Sequence, residues 1–191
     1  MKTTECEWYH IMDQSSDIRD FLDQYHMWQV RPVTAPMPTK AELYSDLTPL
    51  SHQEHKQYRA LVGSLTWYTT TRYDIAYEVN RLAQKLVEPT KGAMACVHTC
   101  RVMAYLKHTW DKCLAVPRVR GDTWSFYSDS DHAGDSKSGD ARSTTGVIIL
   151  LNGMPIFWRS NKQPKTSLSS ACAEIYALYE ACKDTAYMCL S

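Results

Sequence analysis

The sequence has no apolar run near the ~20 residues that a membrane-spanning helix requires, so a helical anchor is not expected. Its start, "MKTTECEWYH", lacks the apolar core of a signal peptide, which points to a chain kept inside the cell, in cytoplasm or nucleus. Neither charge is in excess: Lys+Arg and Asp+Glu stand at 21 each. Bulk electrostatics therefore give no case for nucleic-acid binding, and any basic footprint must be local. Internal repeats are missing, as are a P-loop, a dinucleotide fingerprint and a contextually spaced catalytic triad. No second CxxC or HxxxH follows Cys96-x3-Cys100 at usable spacing, so that pair reads as core rather than as half of a metal site. The seven cysteines are odd in number and irregularly spaced. Without a secretion signal they read as reduced, mostly buried thiols. What remains is 191 residues, 44% hydrophobic and 22% charged, a globular composition sufficient for one domain or two small ones.

Residues 15–28, "SSDIRDFLDQYHMW", space Ile18, Phe21, Leu22 and Tyr25 along one helical face, with Ser16 or Asp17 as N-cap. Pro32, Pro36, Pro38 and Pro49 then deny the backbone its donors, so residues 30–50 read as an extended connector. From 53 to 109 the apolar period is helical, in stripes led by Leu61 and Leu65, by Val79 and Leu82, and by Val102 and Leu106. Breaks near "TTTRYD", where Asp74 suits a cap, and at Pro89-Thr90 give three helices. After Pro117 the period becomes two. "WSFYSDS" (124–130) alternates, and "TTGVIILL" (144–151) is β-branched and apolar. "MPIFWRS" (154–160) follows across Asn152-Gly153, a hairpin signal because both turn positions want positive φ. Pro155 cannot donate from a central position, which makes this run an edge strand. "SSACAEIYALYEACKDTAYM" (169–188) closes the chain as a helix whose inner stripe runs Ile175, Leu178, Cys182 and Thr185. The expected fold class is α+β, a helical region followed by three antiparallel strands and a helix.

The acids of "FYSDSDHAGD" (126–135) carry the chemistry. Residues two apart in a strand share a face, so Asp129 and Asp131 lie with Tyr127, their Cα atoms ~6.6 Å apart, and Trp124 and Phe126 point the other way. Acids that close repel until a divalent cation or a proton relieves the cost. A polar strand end running into a turn explains the same residues, and both readings stand at this point. Asp129, Asp131, Gly134, Asp135 and Asp140 meet part of the EF-hand spacing. Ala133 and Lys137 at its remaining liganding positions, a short Asp140 in place of a bidentate Glu, and strands as flanks argue against a calcium loop. Glu174 lies in the first turn of the last helix beside Ala173 and Ala177. A capping box from Ser170 would need its acid at 173, so Glu174 is either a dipole-favoured acid or an inward-facing ligand. Arg159, Lys162 and Lys165 stand near Phe157 and Trp158 and suit a phosphate backbone, although a solvated strand end accounts for them equally.

"YSDSDHAGD" followed by "DARSTTGVIILLNGMPIFWRSNKQPKTSLSSACAEIYAL" resembles the ribonuclease H domain of copia-type retrotransposon Pol polyproteins. "YRALVGSLTWYTTTRYDIAYEVNRLAQ" and "RVMAYLKHTWD" resemble the helical region before it, and "DIRDFLDQYHMWQVRPVTAPM" the tail of the preceding reverse transcriptase. The resemblance divides the chain into a reverse-transcriptase tail with its proline-rich connector (1–50), a helical connection region (51–115) and a partial ribonuclease H-like domain (116–191). It implies a five-stranded mixed sheet with a helix after the third strand, and metal-dependent hydrolysis of the RNA in RNA–DNA hybrids by two Mg2+ or Mn2+ ions. Asp129 falls on the family's metal-bridging aspartate and Glu174 on its first-helix metal ligand, while Asp131 follows the local pattern as an accessory acid. His132 stands where the family has tryptophan, Cys172 where it has glutamate, Ile175 where it has an aromatic residue and Tyr73 where it has proline.

The family's later catalytic acids have no counterpart before Ser191, so the expectation is a hydrolase lineage without turnover by this chain alone. In the family fold the fourth strand pairs with the first. Without it the strand of Asp129 is an open edge that invites self-association. The alternative function is a non-catalytic module of the same origin, binding nucleic acid or a protein through Arg159, Lys162 and Lys165.

Overall fold

A computed structural model describes residues 1–36, 45–97, 101–118, 123–132 and 141–190, the side chains of the last two excepted. The chain divides into two compact units, one of Met1–Glu5 with Ile11–Leu114 and one of Cys6–His10 with Ala115–Ser191. Helices and strands are mixed, and the six strands among the described residues form two three-stranded sheets, ordered β1-β2-β3 and β4-β5-β6. β1 (Lys2–Glu5), β2 (Tyr9–Asp13) and β3 (Leu114–Pro117) answer to no period-two signal in the sequence. No described helix is long and apolar enough to cross a membrane.

The first unit is helical. α1 (Ser15–Gln24) buries Ile18, Phe21 and Leu22, the face that the sequence spacing predicts. Its cap is not Ser16 or Asp17: Gln14 takes the N-cap position, two residues before Ser16, and the Asp13 carboxylate accepts from the Ser15 N–H at 2.7 Å. α2 (His52–Tyr68) opens with a capping box between Ser51 and Glu54. Residues 53–109 carry four described α-helices rather than three: α2, α3 (Ala76–Ala83), α4 (Lys91–Ala95) and α5 (Val102–His108). Thr90 caps α4, accepting from the Ala93 N–H, so the break at Pro89-Thr90 falls where expected.

Asp74 is not a cap. Its carboxylate takes a two-pronged contact from the almost fully buried Arg72 (3.0 and 2.9 Å) and a 2.6 Å hydrogen bond from the Tyr105 hydroxyl. Arg72 also donates to the Thr109 carbonyl and hydroxyl, tying the "TTTRYD" break to the end of α5. Burial pushes Asp74 up, but the bonds from Arg72 and Tyr105 and the guanidinium charge outweigh it and hold the carboxyl below the ordinary range. Residues 37–44 of the connector and Cys100 of the Cys96 pair lie outside the described residues. The thiols are a correction. Cys96 is buried, but Cys6, Cys113, Cys172 and Cys182 are exposed, since they fall in loops or on an outer helix face.

The second unit is the expected strand, strand, strand and helix. β4 (Trp124–Asp131) pairs antiparallel with β5 (Thr144–Leu151), which pairs antiparallel with β6 (Met154–Lys162). Asn152 and Gly153 take φ of 51° and 80°, the left-handed pair that a two-residue hairpin needs. Pro155 sits on the edge strand as expected, where a bulge shifts the register between Ile149 and Leu150.

α6 (Ser170–Leu190) packs on β4 and β5, but not with the expected stripe. Ile175 and Leu178 are 68% and 56% exposed and Cys182 is exposed, whereas Ala173, Ala177 and Ala181 are buried with Val147 and Ile149 beneath them. A face of alanines lets the helix approach the sheet closely, and that contact outweighs the larger side chains, which turn outward.

Candidate functional site

Strand alternation at β4 decides what can meet what. Phe126 and Ser128 line a groove with Leu178 and Ala181 of α6, and the Trp124 and Phe126 rings stack at 6.1 Å, so the even-numbered residues face the helix. Tyr127, Asp129 and Asp131 occupy the opposite face, the grouping that the sequence predicts. Asp129 is exposed, and its partner across β5 is Gly146, which offers no side chain against it. Asp131 is half-buried opposite Thr144.

Glu174 reaches β4 at Ser130. The Ser130 hydroxyl donates to Glu174 Oε1 at 2.8 Å, and the Ser130 N–H reaches the same oxygen at 3.3 Å. The first turn of α6 holds no acid, because the helix starts at Ser170 and places Glu174 just beyond it. The dipole-favoured alternative gives way to this bond. Ser130 was passed over between two aspartates, and parity was its one signal: it is the residue of that trio that faces the helix.

Two polar anchors hold α6 so that Glu174 arrives there. Gln163, 2% exposed, donates to the Thr145 hydroxyl and to the Ala173 carbonyl, both at 3.0 Å. Nothing in "NKQPK" marks it, since its role exists only once β6 and α6 are brought together. Ser169, rather than Ser170, caps the helix: its hydroxyl accepts from the Cys172 N–H at 3.2 Å. Farther along, Arg159 meets Glu180 and Asp184, each at 2.7 Å; the contact to Asp184 is an ion pair without hydrogen-bond alignment. The Arg159 hydrogen bond, against burial, holds the Glu180 carboxyl below its ordinary value. Lys162 lies on the wall of a small cavity of about 120 Å³ with Thr145, Gln163 and Tyr176, and Lys165 is exposed. Arg159 thus braces the helix while lining the same cavity as Lys162, and Lys165 follows the strand end.

Carboxylate oxygens suit hard divalent ions, which take six or more oxygen ligands, waters included. Yet no three His, Cys, Asp or Glu side chains gather among the described residues, and Glu174 bonds Ser130, whose side chain alternates to the face opposite that of Asp129. These residues alone do not fit a two-ion centre. Gly134, Asp135 and Asp140 of the calcium-loop spacing lie outside the described residues.

Comparison with known proteins defines the class first: the chain is related to proteins of mobile genetic elements. It is 36% identical over 182 residues to the retrovirus-related Pol polyprotein from transposon RE1 of Arabidopsis thaliana, covering 93% of this chain and 12% of that protein. It is 28% identical over 187 residues to the Pol polyprotein from transposon TNT 1-94 of Nicotiana tabacum, 93% of this chain and 13% of that one. A secreted RxLR effector protein of Plasmopara viticola is 35% identical over 132 residues, 69% of this chain and 90% of its own length. The chain belongs to the retrovirus-related Pol polyproteins of copia-type transposons. It spans about an eighth of the length of the Pol polyproteins it matches. No protein-family profile matches it, and no solved structure does.

Proposed function

We propose that the second unit descends from the ribonuclease H part of a Pol polyprotein, the part that hydrolyses RNA in RNA–DNA hybrids, and that this chain by itself does not turn over. One observation carries the reading: an acid-bearing strand end, first in an antiparallel three-stranded sheet, is tied through Ser130 to a glutamate at the start of the following helix. That is the order of elements the lineage requires, with Asp129 and Glu174 in the places of two of its metal-binding acids. Turnover is withheld because no third acid gathers with these two among the described residues to share the charge of two divalent ions.

The test is cleavage of a labelled RNA–DNA hybrid with Mg2+ or Mn2+, using the chain, Asp129→Asn and Glu174→Gln, and the same substitutions in a full-length Pol relative. The chain alone is expected to leave the hybrid intact, and either substitution to abolish cleavage by the full-length protein. Cleavage by the chain that disappears in Asp129→Asn overturns the inactivity. Full-length cleavage indifferent to both substitutions overturns the lineage assignment.

A further inference from the structure

Glu174 comes to β4 in unfavourable company. Its contact, Ser130, stands between Asp129 and Asp131, and neither β4 nor α6 before Lys183 carries a lysine or arginine. Arg142 precedes β5, and Lys162 falls in the row of Thr144 and Asp131, on the sheet face turned away from α6. Carboxylates brought together repel, so hydrogen-bond donors must hold this one in place. Ser130 supplies two. Its hydroxyl and its backbone N–H both reach Oε1 of Glu174, at 2.8 and 3.3 Å.

The anchors of α6 divide between its two flanks, on either side of the buried alanines. Tyr176, Glu180 and Asp184, spaced by four, follow one line along the helix, and Arg159 of β6 takes the two acids at 2.7 Å each. Gln163, just past β6, holds the Ala173 carbonyl. Glu174 begins the line on the β4 side, with Leu178 and Cys182 following at the same spacing. A leucine side chain has no polar atom and a thiol is a weak donor, so on the β4 flank the polar hold falls to Glu174.

We infer that Glu174 is a tether in this chain: it pins the start of α6 to β4 through Ser130 and is withheld from any divalent ion beside Asp129. Strand alternation turns Ser130 toward the helix and Asp129 away from it. A carboxylate that serves an ion is steadied by hydrogen bonds from behind while further ligands gather in front. Glu174 has the hydrogen bonds, but no two further His, Cys, Asp or Glu side chains gather with it among the described residues. Swinging to the face of Asp129 gives up both bonds to Ser130 and frees the start of α6 on that flank. Ser130 therefore competes with a cation for this acid. The inference rests on reading Glu174 as the counterpart of a metal-binding acid. That reading fails in the cleavage assay of the full-length relative, whereas the tether fails in melts and amide exchange of the chain without nucleic acid.

Variants of the full chain test it: Glu174→Ala, Glu174→Gln, Ser130→Ala and the double alanine variant, with Ser128→Ala as a control on the same strand face. Glutamine keeps an acceptor for both donors, and alanine does not. Glu174→Ala and Ser130→Ala should each lower Tm by about 4–8 °C, the scale of one modest hydrogen bond in a domain of this size. The double variant should fall short of their sum, because both remove the same contact. Glu174→Gln and Ser128→Ala should melt within about 3 °C of wild type. The Ser130 amide should exchange at least about fivefold faster in Glu174→Ala and keep its protection in Glu174→Gln. Adding Mn2+ at about 1–10 mM should leave the gap in Tm between wild type and Glu174→Gln unchanged. A rise in Tm with Mn2+ that appears in wild type and vanishes in Glu174→Gln overturns the inference, since the acid would then serve the ion. So does a Glu174→Ala chain that melts with wild type, or a glutamine variant that falls as far as the alanine one.

Discussion

Replacing Arg159 by methionine separates its two readings, phosphate contact and internal brace. Its guanidinium meets Glu180 and Asp184 at 2.7 Å each, and the three side chains are 24%, 13% and 17% exposed. Methionine keeps much of the aliphatic stem but leaves two carboxylates, four residues apart on one helix face, with their shared cation gone. Breaking a buried pair costs about 3–5 kcal/mol, and losing an exposed pair under ~1 kcal/mol. With a quarter of the arginine in solvent, the expectation lies between these, at about 2–3 kcal/mol. For a domain of about 60–100 residues each kcal/mol moves Tm by about 4–8 °C, so the melt should fall by about 8–24 °C. Circular dichroism at neutral pH measures it. The sign of the pH dependence follows from Glu180, whose carboxyl the Arg159 bond holds below its ordinary value. A depressed acid gives its full stabilisation above the unfolded pKa and loses it as pH falls through the folded one. The gap between wild type and Arg159→Met should therefore close below about pH 4. A variant that melts with the wild type at pH 7 while losing affinity for an RNA–DNA hybrid refutes the brace.

In the first unit, Arg72→Met strands the Asp74 carboxylate and should cost about 3–5 kcal/mol in denaturant unfolding, with the Asp74 titration moving upward by NMR. Gln163→Leu leaves the Ala173 carbonyl without its side-chain donor; a loss of about 1–3 kcal/mol and faster amide exchange in the first turns of α6 are expected, and Lys165→Leu should do neither. Gly153→Val puts a β-branched residue at φ 80° and should lower stability by about 1–2 kcal/mol without changing the strand register seen in backbone chemical shifts.

The β5–β6 hairpin was legible because Asn152-Gly153 is a local signal: two adjacent positive φ values need little from the rest of the chain. α1 was legible for a similar reason, since its bulky residues face the core. α6 was not. Its sequence holds two stripes, one of large residues and one of alanines, and hydrophobicity favours the large one. Only the nearness of the sheet selects the alanines. β1, β2 and β3 are four or five residues long, and β1 is wholly exposed, so no alternation marked them. At the candidate site the face shared by Asp129 and Asp131 followed from the strand period. Which face the helix would cover did not, and that decides why Glu174 meets Ser130. The ion pairs of Arg159 were not legible, because a cation beside aromatics looks alike from sequence whether its partner is a phosphate or a helix two dozen residues on.

The alanine face of α6 has a mechanical consequence. A helix seated by large interlocking side chains is held in place by shape, as a threaded bolt is. One seated by Ala173, Ala177 and Ala181 resembles a smooth rod, and displacement by a whole turn would bring alanine back over the sheet. Position along the rod is then fixed by a few polar detents: Gln163 near one end, and Arg159 with Glu180 and Asp184 toward the other. The accuracy with which Glu174 is delivered to β4 is therefore inherited from side chains that make no hydrogen bond to Glu174 itself.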